Sequence, residues 1–389
     1  MKQIKLIDYY GIKNFHEIIN LSLIVMCSRI FSKVTYISGA STYSNLNKLI
    51  TKYNYQSDNI TLKKCRIYEK DTSIGALLRT IYGFFISLFT YLCSKRKTIL
   101  LYVYTNPLSL PLILLFNRFL NKKIIFTMHG ELELQNKIIP LYKPSFYYKS
   151  LYSICFKYLF KSHSAYILLL GESIKSNLCI KYPTLRDHII TINHPYVFDD
   201  YNPPLHPLKQ KPLIIGTIGA MKKEKGSDNL IKLSQLLDNE IKTNKIILRS
   251  IGKAEIDNYS SFKNITWIGA SDILPREEFE KQITQLDYIL YLYPVNSYKL
   301  TASGAIMDAL KLEKPILSLY NDFFNALLKD NPIGYIKGSV EELAEVIKNL
   351  IPPTVNNNFS ENFKVLREKV SIPYNTILLR KEFVSKKIL

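Results

Sequence analysis

The chain has 389 residues, and hydrophobic residues make up 47% of it. These values exclude an intrinsically disordered chain and predict two globular domains of ordinary size. The formal net charge of +20 predicts an anionic partner such as a nucleotide, an anionic lipid surface or a nucleic acid. A base-composition bias toward Lys, Ile, Asn and Tyr codons explains the same charge equally well.

The five cysteines are scattered along the chain without paired spacing, which argues against a zinc site and against a disulfide framework. They are Cys27, Cys65, Cys93, Cys155 and Cys179. This pattern predicts a reducing, cytosolic location and no bound metal. The segment Met1–Asp8 is typical of a strand, so we expect no signal peptide.

The first half of the chain alternates apolar strand-like runs with helical patterns, as in an α/β domain with a parallel sheet. The predicted strands are Ile4–Ile7, Lys33–Ser38, Thr98–Tyr104, Lys123–Thr127, Ala165–Leu170 and Ile189–Ile192. Polar residues at the carboxyl ends of such strands are candidates for a site. His129-Gly130-Glu131 follows the fourth strand in this way, although a helix-capping loop with a surface histidine has the same appearance.

The segment Ile74–Cys93 is twenty residues long and mostly apolar, long enough to span a bilayer. Arg79 lies inside it, and a charged side chain within a span is costly, so we expect a buried or interfacial helix instead. Its apolar residues recur at helical spacing as one face: Leu77, Ile81, Phe84, Phe85, Leu88 and Leu92. The basic cluster Lys95–Lys97 that follows suits anionic headgroups or a solvated helix end.

Residues 132–162 interleave aromatic and basic side chains. A helix that packs its aromatic residues inward and its lysines outward is the usual explanation. A surface for bases, sugars or membrane stays open as an alternative. No signature of a nucleic-acid-binding fold accompanies the pattern, so we expect no nucleic-acid partner.

A proline-rich polar passage from Asp199 to Pro212 predicts a linker. We therefore expect a first domain over residues 1–200, a second over 212–360, and a basic helical tail over 361–389. The second domain opens with the predicted strand Leu213–Ile218, which leads into a loop from Gly219 to Gly226.

The loop contains Lys222 and Lys225, and a helix is predicted to begin near Ser227. Cations and oriented N–H groups at a helix start are what a diphosphate requires.

A second loop of this kind lies between the predicted strand Ile289–Tyr293 and the predicted helix Ala305–Leu312. The loop ends at Ser303-Gly304, and another strand, Ile316–Leu319, follows the helix. Strand, loop, helix and strand form a βαβ unit, which places the loop at the ligand-binding edge of a parallel sheet. Asp308 lies one turn into the helix, within reach of a sugar hydroxyl.

This stretch resembles the donor-nucleotide segment of family 4 glycosyltransferases of the GT-B fold. The matching residues are Asp308-Ala309-Leu310 and Glu313-Lys314-Pro315-Ile316, and Lys225-Gly226 matches the Lys-Gly pair of the same family. Two positions depart from it. Leu300 stands where the family has the first of two glutamates, and Ala220 stands where it has an arginine. The His129-Gly130 loop resembles the histidine loop on the acceptor side.

The resemblance implies an α/β GT-B fold with two Rossmann-like domains facing across a cleft and a C-terminal helix that crosses back to the first domain. It implies transfer of a sugar from a nucleotide-diphosphate sugar to a glycan or lipid-linked acceptor, with retention of anomeric configuration and without a metal or other cofactor. His129 and Lys225 would be catalytic. The implied donor-binding set is Gly219, Lys222, Lys225, Gly226, Tyr298, Thr301, Ser303, Gly304 and Asp308, and the acceptor-side set is Gly130, Glu131 and His194.

Two other functions remain open from the sequence. The departures at Ala220 and Leu300 fit a catalytically degenerate GT-B protein that binds a nucleotide or a glycan. The net charge fits a basic protein that binds polyanions or a membrane surface. For the transferase, the expected setting is bacterial surface polysaccharide biosynthesis in the cytoplasm, at the inner face of the membrane.

Overall fold

The computed structural model describes residues 2–162, 164–198, 212–272, 274–351 and 359–389. The chain divides into two compact units. The first comprises Met1–Val197, Leu300–Ala302 and Lys369–Leu389, and the second comprises Phe198–Lys299 and Ser303–Glu368. Residues 199–211 of the predicted linker lie outside the described residues. The C-terminal segment belongs to the first unit, which confirms the predicted return of the C-terminal helix.

The first unit is built on a seven-stranded parallel sheet in the order β3-β2-β1-β4-β5-β6-β7. Its strands are β1 (Gln3–Asp8), β2 (Lys33–Ser38), β3 (Ile60–Lys64), β4 (Thr98–Tyr102), β5 (Ile124–Thr127), β6 (Ala165–Leu169) and β7 (Ile189–Thr191). All residues of β4, β5 and β6 are buried, as expected of parallel strands covered on both faces. Because such strands are continuous apolar runs, the sequence reveals them directly.

Helices connect these strands and cover the sheet. They are α1 (Glu17–Ser28), α2 (Ala40–Lys52), α3 (Ser73–Cys93), α4 (Ser109–Leu120), α5 (Pro144–Ile154) and α6 (Glu172–Lys181). The C-terminal helix α14 (Ile372–Ser385) packs against α1 and β7. Phe383 of α14 is fully buried in the same core as β1 and β2, which explains why the tail belongs to this unit.

The second unit contains a six-stranded parallel sheet in the order β10-β9-β8-β11-β12-β13. Its strands are β8 (Leu213–Ile218), β9 (Ile246–Ile251), β10 (Thr266–Ile268), β11 (Tyr288–Tyr291), β12 (Ile316–Leu319) and β13 (Gly334–Lys337). Its helices are α7 (Ser227–Leu236), α8 (Asp238–Lys242), α9 (Arg276–Thr284), α10 (Ile306–Lys311), α11 (Asp322–Leu328) and α12 (Val340–Asn349), and α13 (Ser360–Val370) leads into the C-terminal segment. Two Rossmann-like sheets of this kind confirm the predicted α/β class.

Helix α3 (Ser73–Cys93) begins one residue before the predicted segment, and its orientation is opposite to that of a core helix. Its buried side consists of small and polar residues: Gly75, Arg79, Thr80, Gly83, Ser87 and Tyr91. Leu77, Ile81, Phe85 and Leu92, from the predicted apolar face, are exposed. The expectation of a buried helix is therefore wrong for this face, and the alternative of an interfacial helix stays a prediction. Gly83 shows why, since a Cβ there would lie 1.9 Å from the ring of Tyr9, and only a small residue allows this close approach.

Among the described residues, α3 is also the helix whose length and hydropathy would let it cross a membrane. The aromatic segment after β5 likewise departs from the expected pattern. Tyr152 and Phe156 are buried, as expected of inward-facing aromatic residues, but Tyr142, Tyr147 and Tyr158 are exposed. The interleaved pattern thus combines packed rings with an aromatic surface.

Candidate functional site

In the second unit, the loop after β8 brings a lysine side chain over a glycine. Gly219 follows β8 with a φ of +80°, and its N–H donates to the carbonyl of Ile251 at 2.8 Å. A Cβ at Gly219 would lie 3.3 Å from the ammonium nitrogen of Lys225. The bare glycine therefore leaves open backbone beside a cation, as a phosphate-binding loop requires.

The same loop ends at Gly226, which precedes α7 with a φ of +88°. A Cβ at Gly226 would lie 1.8 Å from the carbonyl oxygen of Leu292. Glycine alone permits both this positive φ and this approach to the chain leaving β11. Gly226 thus fixes the position of the Lys225 loop against the segment that leads to Ser303.

The electrostatic environment of Lys225 links the two predicted donor loops. Burial lowers its pKa from the usual value, and the charge of Lys222 lowers it further. The carboxylates of Asp308 and Glu255 act in the opposite direction. The structure therefore brings Lys225, Lys222 and Asp308 within electrostatic range. Two ammonium groups held near each other favour an anion between them.

Asp308 is already engaged in an ion pair. Its Oδ1 lies 2.5 Å from Nη2 of Arg276, at the start of α9. Glu280 contacts Arg276 at 2.5 Å and Lys311 at 2.8 Å. Burial raises the pKa of Asp308, and the adjacent Arg276 counteracts this. A ribose hydroxyl that binds Asp308 would therefore meet a carboxylate that Arg276 holds in place.

Arg276 is not among the site residues predicted from the sequence. Its place at the site depends on the bond to Asp308, a residue 32 positions further along the chain. Arg276 places a cation beside the predicted donor loops, whereas Ala220 stands where the family that this segment resembles has its arginine. One feature of the sequence could have indicated Arg276. The loop before it follows a strand of the same parallel sheet, and such loops lie at the edge where ligands bind.

The remaining predicted donor-binding residues are Tyr298, Thr301, Ser303 and Gly304. Ser303 is buried, and its hydroxyl lies 2.9 Å from that of Tyr293. The Tyr293 ring stacks on Tyr298 with a centroid separation of 4.3 Å. Gly304 is exposed beside them. Thr301 lies in the short segment that groups with the first unit, and among the described residues its buried hydroxyl has no hydrogen-bond partner.

In the first unit, His129 follows β5 and stacks on His16, with ring centroids 5.0 Å apart. Burial lowers the pKa of His129 well below its usual value, and the nearby His16 and His194 add to this shift. Within the described part of the chain, its buried Nε2 has no hydrogen-bond partner. His129 is thus a neutral imidazole at pH 7 with one nitrogen available. His16, in the loop after β1, is not among the site residues predicted from the sequence.

His194 completes this group of histidines. Its side chain is buried, and burial together with the charge of His16 lowers its pKa to about 4. The structure therefore brings His194 close to His129. These histidines are held neutral, so they form and accept hydrogen bonds without adding charge at neutral pH.

Glu131 is a buried carboxylate with one free oxygen. Its Oε2 accepts a hydrogen bond from the backbone N–H of His129 at 3.0 Å. No described residue bonds the buried Oε1. Burial raises the pKa of Glu131 to about 7. Gly130 beside it is exposed, with no atom near the position that a Cβ would take.

Glu131 also lines a pocket of about 390 Å³ within the first unit. Four tyrosines form much of its wall: Tyr10, Tyr104, Tyr148 and Tyr152. Aromatic walls around a buried carboxylate suit a polyhydroxylated ligand, because rings cover the apolar faces of a sugar while the carboxylate accepts from its hydroxyls.

No protein-family model matches the sequence, and no curated protein matches it significantly. Solved structures match over essentially the whole chain. HepE of Anabaena, solved with UDP and glucose, is 10% identical with a TM-score of 0.60, and the alignment covers 100% of each chain. A glycosyltransferase of Rickettsia africae is 15% identical with a TM-score of 0.61, covering 100% of this chain and 98% of that one. TarM of S. aureus, in a variant solved with UDP, fondaparinux and α-GlcNAc-glycerol, is 12% identical with a TM-score of 0.60 and 99% coverage of both chains.

The protein has the GT-B fold. The matched lengths show that the likeness extends through both units and into the C-terminal segment. Identities of this size establish the fold and leave activity to be argued from the site itself.

Proposed function

We propose that the protein is a glycosyltransferase that takes its sugar from a nucleotide-diphosphate donor. The observation that carries this proposal is the position of the Lys225 ammonium over Gly219, with Lys222 and Asp308 in electrostatic range. A diphosphate needs cations and bare backbone, and a ribose needs a carboxylate. The second unit holds all three. Solved structures of the same fold that contain UDP, such as HepE, support this assignment.

In the proposed reaction, an acceptor hydroxyl attacks the anomeric carbon of the donor sugar. The new glycosidic bond forms as the bond from that carbon to the diphosphate oxygen breaks, and the hydroxyl proton leaves to a base or to the departing phosphate. Charge grows on the diphosphate during this step. Lys225 lies where it would neutralise that charge. It would therefore stabilise the transition state more strongly than the bound donor.

Asp308 and Arg276 have complementary roles in this proposal. The carboxylate of Asp308 accepts hydrogen bonds from the ribose, while Arg276 fixes its orientation and opposes the rise in its pKa that burial causes. Arg276 also supplies positive charge near the donor, as the arginine at the Ala220 position does in the related family. This arrangement favours a working donor site over the degenerate alternative.

In the first unit, we assign His129 and Glu131 to the sugar and acceptor hydroxyls. His129 is neutral and has a free nitrogen, so it can hydrogen-bond a sugar hydroxyl. Glu131 lines an aromatic pocket, and its buried Oε1 has no hydrogen-bond partner among the described residues. We further propose retention of anomeric configuration and turnover without a metal, as in the family that the donor segment resembles.

The proposed setting is the synthesis of a bacterial surface polysaccharide such as a capsule or lipopolysaccharide, in the cytoplasm and at the inner face of the membrane. The aromatic pocket and the basic charge of the first unit support a glycan or lipid-linked acceptor. Nothing in the site requires a nucleic acid.

The test is thermal stabilisation by UDP, GDP, CMP, dTDP and their sugars. A ligand at a hundred times its dissociation constant stabilises by about 2.7 kcal/mol. We expect one nucleotide class to stabilise the wild type and to lose this effect in Lys225→Ala. The matched control is Lys223→Ala, which removes the same charge from the same loop at a side chain that is 84% exposed. Equal responses of the two variants would contradict the proposed role of Lys225.

Turnover separates the transferase from the degenerate alternative. Release of free nucleoside diphosphate from the stabilising donor is expected for the wild type, even slowly through hydrolysis. A donor that binds through Lys225 but is never consumed with glycan or lipid-linked acceptors would favour the binding protein.

A further inference from the structure

The exposed apolar side chains concentrate in one sector of the first unit. Among the described residues, 26 large hydrophobic side chains are exposed, and 18 of them lie between Ile74 and Tyr158. Seven are on α3, namely Ile74, Leu77, Ile81, Tyr82, Phe85, Phe89 and Leu92. Five are on α4, namely Leu112, Leu115, Phe116, Phe119 and Leu120. We call these twelve residues the α3–α4 face.

The two helices form a continuous surface, because α3 packs against α4 and α4 packs against the turn Cys155–Leu159. Exposed aromatic residues continue onto that segment, where Tyr158 is 58% exposed. Phe119 on α4 is 87% exposed, and Phe89 on α3 is 69% exposed. A contiguous apolar surface of this kind is rare on soluble monomers and marks an interaction site.

The polar side of α3 is hydrogen-bonded to neighbouring segments of the first unit. Arg79 donates from Nη1 to the carbonyls of Tyr68 and Lys70. Tyr102 of β4 donates to the carbonyl of Ser87 at 2.9 Å, and Asn106 donates to that of Thr80 at 2.8 Å. Helix α3 therefore cannot turn its apolar side inward without losing these bonds. The exposure of the α3–α4 face is built into the fold.

Positive charge predominates in the stretch of chain that carries this face. Residues 73–162 contain twelve lysine and arginine side chains and two carboxylates, Glu131 and Glu133. Glu131 is buried, and Glu133 accepts a hydrogen bond from the backbone N–H of Leu300. Two of the basic side chains, Arg79 and Lys122, are buried. The other ten basic residues are Lys95, Arg96, Lys97, Arg118, Lys123, Lys137, Lys143, Lys149, Lys157 and Lys161. An apolar centre within a basic region matches the chemistry of an anionic bilayer surface.

We propose that the α3–α4 face docks onto an anionic lipid bilayer, with α3 lying in the interface. The proposal rests on the proposed function and names the partner of its acceptor side. A transmembrane α3 is disfavoured, because crossing the bilayer would strip Arg79, Ser87 and Thr80 from their partners. A second copy of the chain is also disfavoured, because the basic regions of two such faces would repel each other.

The pocket that contains Glu131 connects this surface to the proposed chemistry. Ile74 and Leu77, two members of the α3–α4 face, also line the pocket. The pocket therefore opens at the edge of the docking surface. A lipid-linked acceptor can keep its chain in the bilayer while its polar head enters between the tyrosines, toward the free oxygen of Glu131.

The test is flotation of the full-length protein with vesicles of phosphatidylcholine alone and with phosphatidylglycerol added. We expect binding to the anionic vesicles that weakens with salt. The double variant Phe85→Ser/Phe89→Ser should lose at least about tenfold in binding, since it removes two exposed rings. Neutralising Lys95 and Lys97 to Gln should lower the partition constant about fivefold per residue, because each surface-bound cation contributes about 1 kcal/mol.

The matched control is Ile377→Ser on α14, which removes an apolar side chain that is 68% exposed outside this face. It should bind vesicles like the wild type. Binding that is unchanged in the double phenylalanine variant would overturn the proposal. The proposal would also be overturned if the wild type did not bind vesicles and instead formed a dimer that is lost in the double phenylalanine variant. Donor stabilisation through Lys225 is measured without lipid, so failure of docking and failure of the transferase assignment are distinguishable.

Discussion

Arg276 and Asp308 form an ion pair, with Nη2 of the guanidinium 2.5 Å from Oδ1 of the carboxylate. The pair joins the first turn of α9 to α10 at the edge where the sheet of the second unit presents its loops. Arg276 is 52% exposed at its side chain, so the pair contributes little to folding, of the order of 0–1 kcal/mol. Its importance in the proposed mechanism is therefore to position the carboxylate that binds the donor.

The first prediction concerns this pair. Arg276→Ala should leave the thermal midpoint nearly unchanged and weaken the stabilising nucleotide by about tenfold, because Asp308 loses its orientation and the site loses a cation. Arg276→Lys should recover part of the affinity. Lys242→Ala, which breaks an exposed pair with Asp238 at 2.7 Å, is the control. Isothermal titration of nucleotide into the variants measures the effect, and equal affinity in Arg276→Ala and wild type would refute it.

The second prediction concerns Gly226. Gly226→Ala should destabilise the protein by about 2 kcal/mol or more, because φ is +88° and the new Cβ would lie 1.8 Å from the carbonyl oxygen of Leu292. Gly338→Ala is the matched control, since its nearest atoms are side-chain oxygens of Glu342 at 3.6 and 3.8 Å. Urea unfolding of both variants provides the comparison. A midpoint for Gly226→Ala equal to that of the control would show that the loop adapts.

The third prediction uses the titration of Glu131. Its pKa is about 7 in the folded protein, compared with an ordinary value of 4.5 for a glutamate. Between these values the folded state holds a proton that the unfolded state has lost, so this group makes stability fall as pH rises. Glu131→Gln has no carboxyl group to titrate at this position, so it lacks this pH dependence. Relative to Glu131→Gln, the wild type should lose roughly 3 kcal/mol between pH 4.5 and pH 7.5.

Urea unfolding at several pH values checks the difference between the two proteins. A parallel pH dependence of wild type and Glu131→Gln would show that the carboxyl is solvated. In the proposed reaction, the ionised form of Glu131 is the one that accepts hydrogen bonds from sugar hydroxyls. Activity of the wild type should therefore rise through pH 7, whereas Glu131→Gln should have low activity without that rise.

The fourth prediction has the opposite sign and concerns His194. Burial lowers its pKa from 6.5 to about 4. Between these values the unfolded chain binds a proton that the folded state does not, so stability falls as pH is lowered through this window. The slope from this histidine is about 1.4 kcal/mol per pH unit. In His194→Gln that slope should be absent between pH 4.5 and 6.

Comparing unfolding free energies of the wild type and His194→Gln across this range isolates the contribution of one histidine. A wild type whose pH dependence matches that of the variant would mean that His194 is accessible to water. His188→Gln serves as a comparison, because His188 is also buried but bonds the carbonyl of Ala165 through Nδ1.

Much of the fold could be predicted from the chain. The strands Lys33–Ser38, Leu213–Ile218 and Ile316–Leu319 have the predicted bounds, because buried parallel strands are continuous apolar runs that glycine, proline or polar residues interrupt. The elements that escaped prediction, α2 and β3 among them, lie in polar sequence. Their burial is incomplete, so they carry little hydrophobic signal.

The sequence by itself also predicted which loops are candidates for a site, since Lys225, Ser303-Gly304 and His129 follow predicted strands and the topology of a parallel sheet sends such ends to one edge. Only the tertiary structure decided which partners these residues meet. The pairing of Arg276 with Asp308 and the stacking of His16 on His129 join segments that are distant in the chain. The same holds for α3, whose apolar periodicity predicted a helix but not its orientation. Periodicity identifies which residues share a face, whereas the close approach of Tyr9 to Gly83 and the hydrogen bonds of Arg79 determine which face is buried.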